Sequence, residues 1–216
     1  MKHRTKLMGA VAALALLPAL AAAEERERGS SGHLNMIYWQ AVSTMNPFLS
    51  GGTKEMNASS IVLEPLARFD NEGQLVAWLA EEIPTLDNGG VSEDLKTITW
   101  RLKDGLLWSD GSDVTADDVV FTYEYCTHPE GGCAYRDRFA GIESVEAEDE
   151  RTIKITFEDA TPNPYLPFVG AGSPIIQRAQ FENCMGARAP ECTEQNFAPI
   201  GTGPYRVANF QPNDVV

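Results

Sequence analysis

Two stretches of the chain alternate between apolar and polar residues. Residues 97–103 read TITWRLK and residues 153–158 read IKITFE, so every second side chain is apolar. This period of two is typical of a β-strand with one buried face. Val145 and Ala147 precede the second stretch across the acidic turn 148–150, which predicts a hairpin.

One helix is marked by the residues at its start. Thr115 offers a hydroxyl at the N-cap and Asp118 a carboxylate three residues later, a variant of the capping box. Val119, Tyr123 and Cys126 then repeat at helical spacing on one face. The neighbouring acids could also suggest a calcium loop, but their spacing does not match an EF-hand, so capping is favoured.

The other segments have weaker patterns. The apolar run LNMIYWQ predicts a strand buried on both faces. The helix that follows the Asn/Gly-rich loop is expected to stop near Pro65. We expect a mixed α+β, or mixed α/β, fold. The further expected elements are a strand at 34–40, a loop at 46–52, a helix at 55–66, a Pro-rich crossing at 162–174, a short helix within 177–197 and a strand at 205–210.

The first 23 residues read as an export signal. Lys2, Arg4 and Lys6 form a basic region, residues 7–20 are apolar, and residues 21–23 are three alanines suited to signal peptidase. No cysteine lies at the cleavage site to accept a lipid. The sequence therefore predicts a soluble, unlipidated product that is retained in a periplasm.

Composition and charge exclude several classes of protein. The chain has 216 residues, of which 43% are hydrophobic and 22% charged, as in ordinary globular domains. Its net charge is −14, and loss of the signal would leave 14 bases against 31 acids, a net charge of −17. Such an excess of acids argues against nucleic acid as a partner.

The four cysteines fall into two close pairs. Cys126 and Cys133 lie close together, as do Cys184 and Cys192. Four cysteines allow three connectivities, and local pairing is the most economical for an exported protein, so we expect two structural disulfides. Neither spacing is a CxxC motif and the chain has three histidines, so we expect no metal site and no cofactor.

Catalytic motifs are missing from the sequence. It lacks the GxSxG, HExxH and P-loop patterns, and a glycosidase pair of Glu143 and Glu158 is disfavoured because both lie on predicted hairpin strands. Aromatic residues could instead line a ligand cleft. For Trp100, inside an alternating strand, a place in the core is favoured; for Trp108, between two Asp-Gly turns, both alternatives stay open.

Five colinear segments carry more information than their periodicity. They are the early Met45-Asn46-Pro47 motif, LEPLARFDNEGQLVAWLAEEIP (63–84), the stretch from 92 to 125 with WSDG at 108–111, GIESVEAEDERTIKITFED (141–159) and PIGTGPYRV (199–207). Together they resemble the family 5 extracellular solute-binding proteins, the oligopeptide, dipeptide and nickel receptors of ABC importers.

This resemblance implies a particular architecture. The chain would form the first lobe of a type II-like periplasmic binding protein, with residues 24–56 and 166–216 in a main α/β domain. Residues 57–165 would form a smaller inserted α+β domain. Family members continue well beyond the GTGPY segment, so the opposing lobe is expected to be absent and the chain to be an N-terminal fragment.

The resemblance also implies a ligand and a site. The stretch Ser50-Gly51-Gly52-Thr53 matches the loop whose backbone pairs with a bound peptide, a form of β-augmentation, although a plain Gly/Ser loop is an equal alternative. Asn46 and Tyr135 are further candidate contacts. A peptide is the expected ligand; nickel is disfavoured because only His33 and His128 would remain after processing.

The expected partners follow from the same resemblance. We expect a monomeric binding protein, not an enzyme, that delivers its ligand to a membrane permease driven by an ATPase. An exported envelope hydrolase acting on sugars or peptides and a non-functional remnant are the alternatives.

Overall fold

Short helices and strands make up the computed structural model, which describes residues 36–212. The mixed α+β prediction is confirmed. In chain order the elements are α1 (Thr53–Ser59), β1 (Ala67–Phe69), β2 (Leu75–Ala77), β3 (Thr97–Arg101), α2 (Ala116–Thr127), β4 (Ile142–Ala147), β5 (Thr152–Phe157), α3 (Arg178–Phe181) and α4 (Thr193–Phe197), with 3-10 turns at Pro47–Leu49, Arg136–Phe139 and Gly186–Glu191.

A three-stranded antiparallel sheet in the order β3-β5-β4 confirms both alternating stretches and the hairpin. In its register Ile98 lies opposite Ile155 and Trp100 lies opposite Ile153, and all four side chains are fully buried. β1 and β2 form a separate two-stranded antiparallel sheet. Trp100 is therefore a core residue, as its alternating position predicts.

Asp118 fixes the start of α2 and joins it to its neighbours. Its carboxylate accepts hydrogen bonds from the backbone N–H of Thr115 (3.0 Å) and from the indole N–H of Trp108 (3.2 Å). The other carboxylate oxygen accepts from the backbone N–H of Arg178 at the start of α3 (2.9 Å). The predicted capping box is thus present, and Trp108, which is 3% exposed, is a structural residue.

Two predicted strands are wrong, as far as the described residues reach. Residues 36–40 and 205–210 contain no strand, and Trp39 and Tyr205 are 76% and 53% exposed. A strand needs a ladder of hydrogen bonds to a partner. Within residues 36–212 the stretch 205–210 has one backbone bond, from the N–H of Tyr205 to the carbonyl of Ile61 (3.3 Å), and the stretch 36–40 has none. The predicted helix 55–66 is also shorter, because α1 ends at Ser59 and the chain then turns.

The GTGPY segment packs against the turn that follows α1. Gly203 donates its N–H to the carbonyl of Val62 (2.8 Å), and the N–H of Ser109 bonds the carbonyl of Gly201 (2.9 Å). A Cβ at Gly201 would overlap the Val62 carbonyl, and one at Gly203 would overlap that of Ile61. These glycines therefore allow two backbone segments to come into direct contact.

Both predicted disulfides are formed, Cys126 with Cys133 and Cys184 with Cys192. The predicted signal peptide at 1–23 lies outside the described residues. Residues 38–212 belong to one compact unit, and the division at 57 and 165 stays a prediction. None of the helices within 36–212 combines the length and the apolar character needed to cross a membrane.

Candidate functional site

The predicted ligand loop connects the 3-10 turn Pro47–Leu49 to helix α1. Asn46 caps the turn, because its side-chain carbonyl accepts the N–H of Phe48 (3.1 Å). The N–H of Ser50 bonds the carbonyl of Pro47 (3.2 Å), which closes the turn, and Gly52 is the N-cap residue of α1. Gly51 and Thr53 are exposed. The loop is therefore anchored at both ends while its middle faces solvent.

Gly51 and Gly52 differ in what surrounds them. A Cβ at Gly52 would overlap a carboxylate oxygen of Glu55, whereas a Cβ at Gly51 would have no atom within 4 Å. Gly52 is therefore required by the protein's own packing. At Gly51 the backbone lies open, which is the condition that an approaching peptide backbone needs.

Beneath this loop Glu55 carries a fully buried carboxylate. Its Oε1 accepts hydrogen bonds from the backbone N–H of Ser43 (2.9 Å), from the Ser43 hydroxyl (2.7 Å) and from the ammonium of Lys54. Its Oε2 accepts from the hydroxyl of Ser50 (3.2 Å). Burial acts to raise the pKa of Glu55, but the bonds from Lys54 and Ser43 outweigh it and lower the pKa to about 2. The group is therefore ionised at neutral pH.

Asn46, a predicted contact, lies inside the protein. It is fully buried, and its amide N–H groups donate to the hydroxyl of Tyr125 (3.0 Å) and the side-chain carbonyl of Asn196 (2.9 Å). Its own carbonyl caps the turn at Phe48. Because these polar atoms are already paired, the geometry gives Asn46 a structural role, and its predicted contact with ligand remains untested.

Tyr135 lies on a segment attached to the same turn. The N–H of its neighbour Ala134 donates to the carbonyl of Phe48 (2.7 Å), directly after the disulfide of Cys133. The ring of Tyr135 is half-buried, with the guanidinium of Arg138 at 5.5 Å from its centroid. The structure thus brings the Tyr135 segment to the turn that leads into the predicted loop.

The second disulfide loop supports this turn through Asn196. The side chain of Asn196 donates to the carbonyl of Ala189 inside the loop (2.8 Å), and its N–H bonds the carbonyl of Cys192 (2.9 Å). Its own carbonyl accepts the N–H of Met45 (2.9 Å). Sequence reasoning missed both Asn196 and Glu55, since neither stands in a motif that marks it.

The acidic residues at the start of α2 form a separate feature. A cavity of about 320 Å³ is lined there by Trp108, Asp113, Asp117 and other residues, but the carboxylate of Asp118 is committed to the caps described above. Within residues 36–212 no group of three or more His, Cys, Asp or Glu side chains is arranged to hold a metal ion.

Comparison with known proteins identifies the family. The model described as "Bacterial extracellular solute-binding proteins, family 5 Middle" matches residues 74–216, which is more than half of the chain. The chain belongs to this family. The match includes the three-stranded sheet, helix α2, both disulfides and the GTGPY segment. It confirms the family to which the five colinear segments point.

Similar proteins are much longer than this chain. A putative binding protein of Brucella melitensis is 29% identical over 144 residues, which cover 66% of this chain and 21% of that protein. The glutathione-binding protein GsiB of Shigella boydii is 26% identical over 174 residues, covering 81% and 31%. The solved structure of Haemophilus influenzae OppA in complex with RPPGFSPFR shares the fold, with a TM-score of 0.68 and 23% identity over 81% of this chain and 35% of that one. The chain thus spans about a fifth to a third of these proteins.

Proposed function

We propose that this chain is the N-terminal part of a solute-binding protein that captures a peptide in the periplasm. It delivers the peptide to the permease of an ABC importer, whose ATPase supplies the energy. Export depends on the signal at residues 1–23. Membership of family 5 and the names of the relatives, which are binding proteins, support this role over that of a hydrolase.

The observation that carries the proposal is the open backbone at Gly51. A peptide can add its backbone to an exposed segment without any demand on its side chains, provided that the segment is held rigidly and nothing projects from it. The loop meets both conditions, because Ser50 and Gly52 are fixed by hydrogen bonds while a Cβ at Gly51 would meet open space.

A peptide is the ligand class that this geometry favours. Backbone pairing at Gly51 needs a partner with its own N–H and C=O groups. The half-buried Tyr135, whose neighbour Ala134 is bonded to Phe48, offers an aromatic surface. Glutathione, for which one relative is named, is itself a tripeptide.

The test is an NMR titration of the isotopically labelled protein with a pool of tripeptides and pentapeptides at millimolar concentration. At millimolar peptide, even the weak binding expected of one face of a site can be detected. We expect amide shift changes concentrated at Gly51, Gly52 and Thr53, together with the side chain of Tyr135. Shift changes confined to other surfaces, or none, would overturn the proposal, and cleavage of the peptides would support the hydrolase instead.

A further inference from the structure

We propose that Glu55 is a positioning residue for the ligand loop. Its carboxylate accepts hydrogen bonds from both Ser43 and Ser50, and this sets where the backbone of Gly51 lies. This inference rests on the proposed function, because it assigns a role to a residue that supports the peptide-contacting loop. Glu55 itself is fully buried and does not face the ligand.

The two carboxylate oxygens bind opposite ends of one segment. Oε1 accepts the N–H and the hydroxyl of Ser43, and Oε2 accepts the hydroxyl of Ser50. The residues between them include the 3-10 turn at Pro47–Leu49. One side chain therefore closes this segment into a loop whose ends cannot separate without breaking a hydrogen bond to a charged group.

Ser50 passes this restraint on to the next residues. Its hydroxyl oxygen accepts the N–H of Gly52 (3.1 Å) while the hydroxyl donates to Glu55. The space that a side chain at Gly52 would need is taken by Oε2 of Glu55. Gly51 is thus held between two residues that are both fixed by the same carboxylate.

The charge on Glu55 makes the restraint strong. A buried carboxylate is costly unless every oxygen is paired, so movement of Ser50 away from Oε2 would leave a buried anion partly unsatisfied. The ammonium of Lys54, the residue before Glu55 in α1, completes the set of donors around Oε1. The loop therefore has one strongly favoured position instead of several.

The experiment measures amide hydrogen exchange in the protein and in the variant Glu55→Gln. Glutamine keeps the size of the side chain but loses the charge and replaces one acceptor by a donor. We expect the N–H groups of Ser43 and Gly52 to exchange at least tenfold faster, and the N–H of Ile155 in the central strand to change much less. The same variant is expected to weaken peptide binding at least tenfold.

Glu64→Gln is the matched control. Glu64 is also a buried carboxylate, bonded by the indole of Trp78 (2.6 Å) and the hydroxyl of Thr202 (2.9 Å), but it makes no contact with the loop through these bonds. We expect Glu64→Gln to lower global stability, with the amide exchange rates of Ser43 and Gly52 rising by no more than that of Ile155. If Glu55→Gln and Glu64→Gln accelerate amide exchange at Ser43 and Gly52 equally, the positioning role is overturned.

Ser50→Ala gives a second test if Glu55→Gln does not fold. It removes the link from Oε2 to Gly52 and leaves the carboxylate bonded to Ser43 and Lys54. We expect faster exchange at Gly52 with little change at Ser43, and unchanged exchange at Gly52 would contradict the inference. Failure of the unaltered protein to bind any peptide would overturn the proposed function alone, because the exchange rates do not depend on ligand.

Discussion

The side-chain amide of Asn46 donates a hydrogen bond of 2.9 Å to the side-chain carbonyl of Asn196, 150 residues further along the chain. Both side chains are buried, and the backbone carbonyl of Asn196 also accepts the N–H of Met45. The turn that precedes the ligand loop is therefore built on a residue next to the second disulfide. Contacts from a distant segment therefore fix the turn before the loop, in addition to the local bonds from Glu55 to Ser43 and Ser50.

Replacing Asn196 by alanine tests this support. The variant leaves a buried amide of Asn46 and the carbonyl of Ala189 without a partner, which typically costs about 1–3 kcal/mol of unfolding free energy. Asn57→Ala, at an exposed position of α1, is the control and is expected to change stability by no more than about 0.5 kcal/mol. Urea unfolding measures the stability of both variants. Equal midpoints for Asn196→Ala and Asn57→Ala would show that the Asn46–Asn196 bond contributes nothing.

The two disulfides are expected to stabilise the fold by similar amounts. Their cysteines are separated by 7 and 8 residues, and loops of this size predict about 2–3 kcal/mol for each crosslink. Cys126→Ser/Cys133→Ser and Cys184→Ser/Cys192→Ser should each lower the free energy of unfolding by that amount, measured by urea unfolding. Both should also weaken peptide binding, since both crosslinked loops hold the turn before Ser50.

A reducing agent supplies the control for this pair. Each double-serine variant still has one disulfide, so reduction should lower its stability further, to that of the reduced wild type. A variant that is insensitive to reductant would show that its remaining disulfide does not contribute to folding.

The features that sequence analysis predicted correctly are marked by patterns within short stretches of the sequence. The alternation around Trp100 specifies a strand with one buried face, and Thr115 with Asp118 forms a capping box three residues apart. The disulfides join cysteines close in sequence. In each case the residues that form the pattern are close together in the sequence, although the strand at Trp100 is completed by its pairing with β5.

The features that were missed depend on distant residues. An apolar run at 36–40 is equally compatible with a strand or an exposed segment, and only the presence of a pairing partner decides. Glu55 looks like an ordinary acid in the first turn of a helix, and its burial against Ser43 cannot be read from its own neighbours. The break in the chain between residues 46 and 52 could therefore be predicted, whereas the residues that support it could not.

Alanine at the two loop glycines should separate folding from binding. Gly52→Ala forces the buried carboxylate of Glu55 to move and is expected to cost about 1–3 kcal/mol. Gly51→Ala adds a methyl group in open space, so its unfolding free energy should stay within about 0.5 kcal/mol of the wild type. That methyl would nevertheless stand where a peptide backbone approaches, and peptide affinity should fall by about tenfold, equivalent to about 1.4 kcal/mol.

Each of the two glycine variants is measured by urea unfolding and by peptide titration. The pair is informative because the residues are adjacent and the substitution is identical. A Gly51→Ala protein with unchanged stability and unchanged peptide affinity would argue that the peptide does not contact the loop at this residue.

The ionised state of Glu55 predicts how stability depends on pH. Its pKa is about 2 in the folded protein against an ordinary value of 4.5, so the unfolded state takes up a proton first as the pH falls. The resulting stabilisation, about 3 kcal/mol, is complete above the unfolded pKa and is lost as the pH falls from about 5 towards 2.

Glu55→Gln has no carboxyl at this position. We therefore expect the stability difference between wild type and Glu55→Gln to shrink by about 2 kcal/mol between pH 7 and pH 3, measured by urea unfolding. Parallel losses of stability in the two proteins would mean that the Glu55 carboxylate is not selectively stabilised by folding.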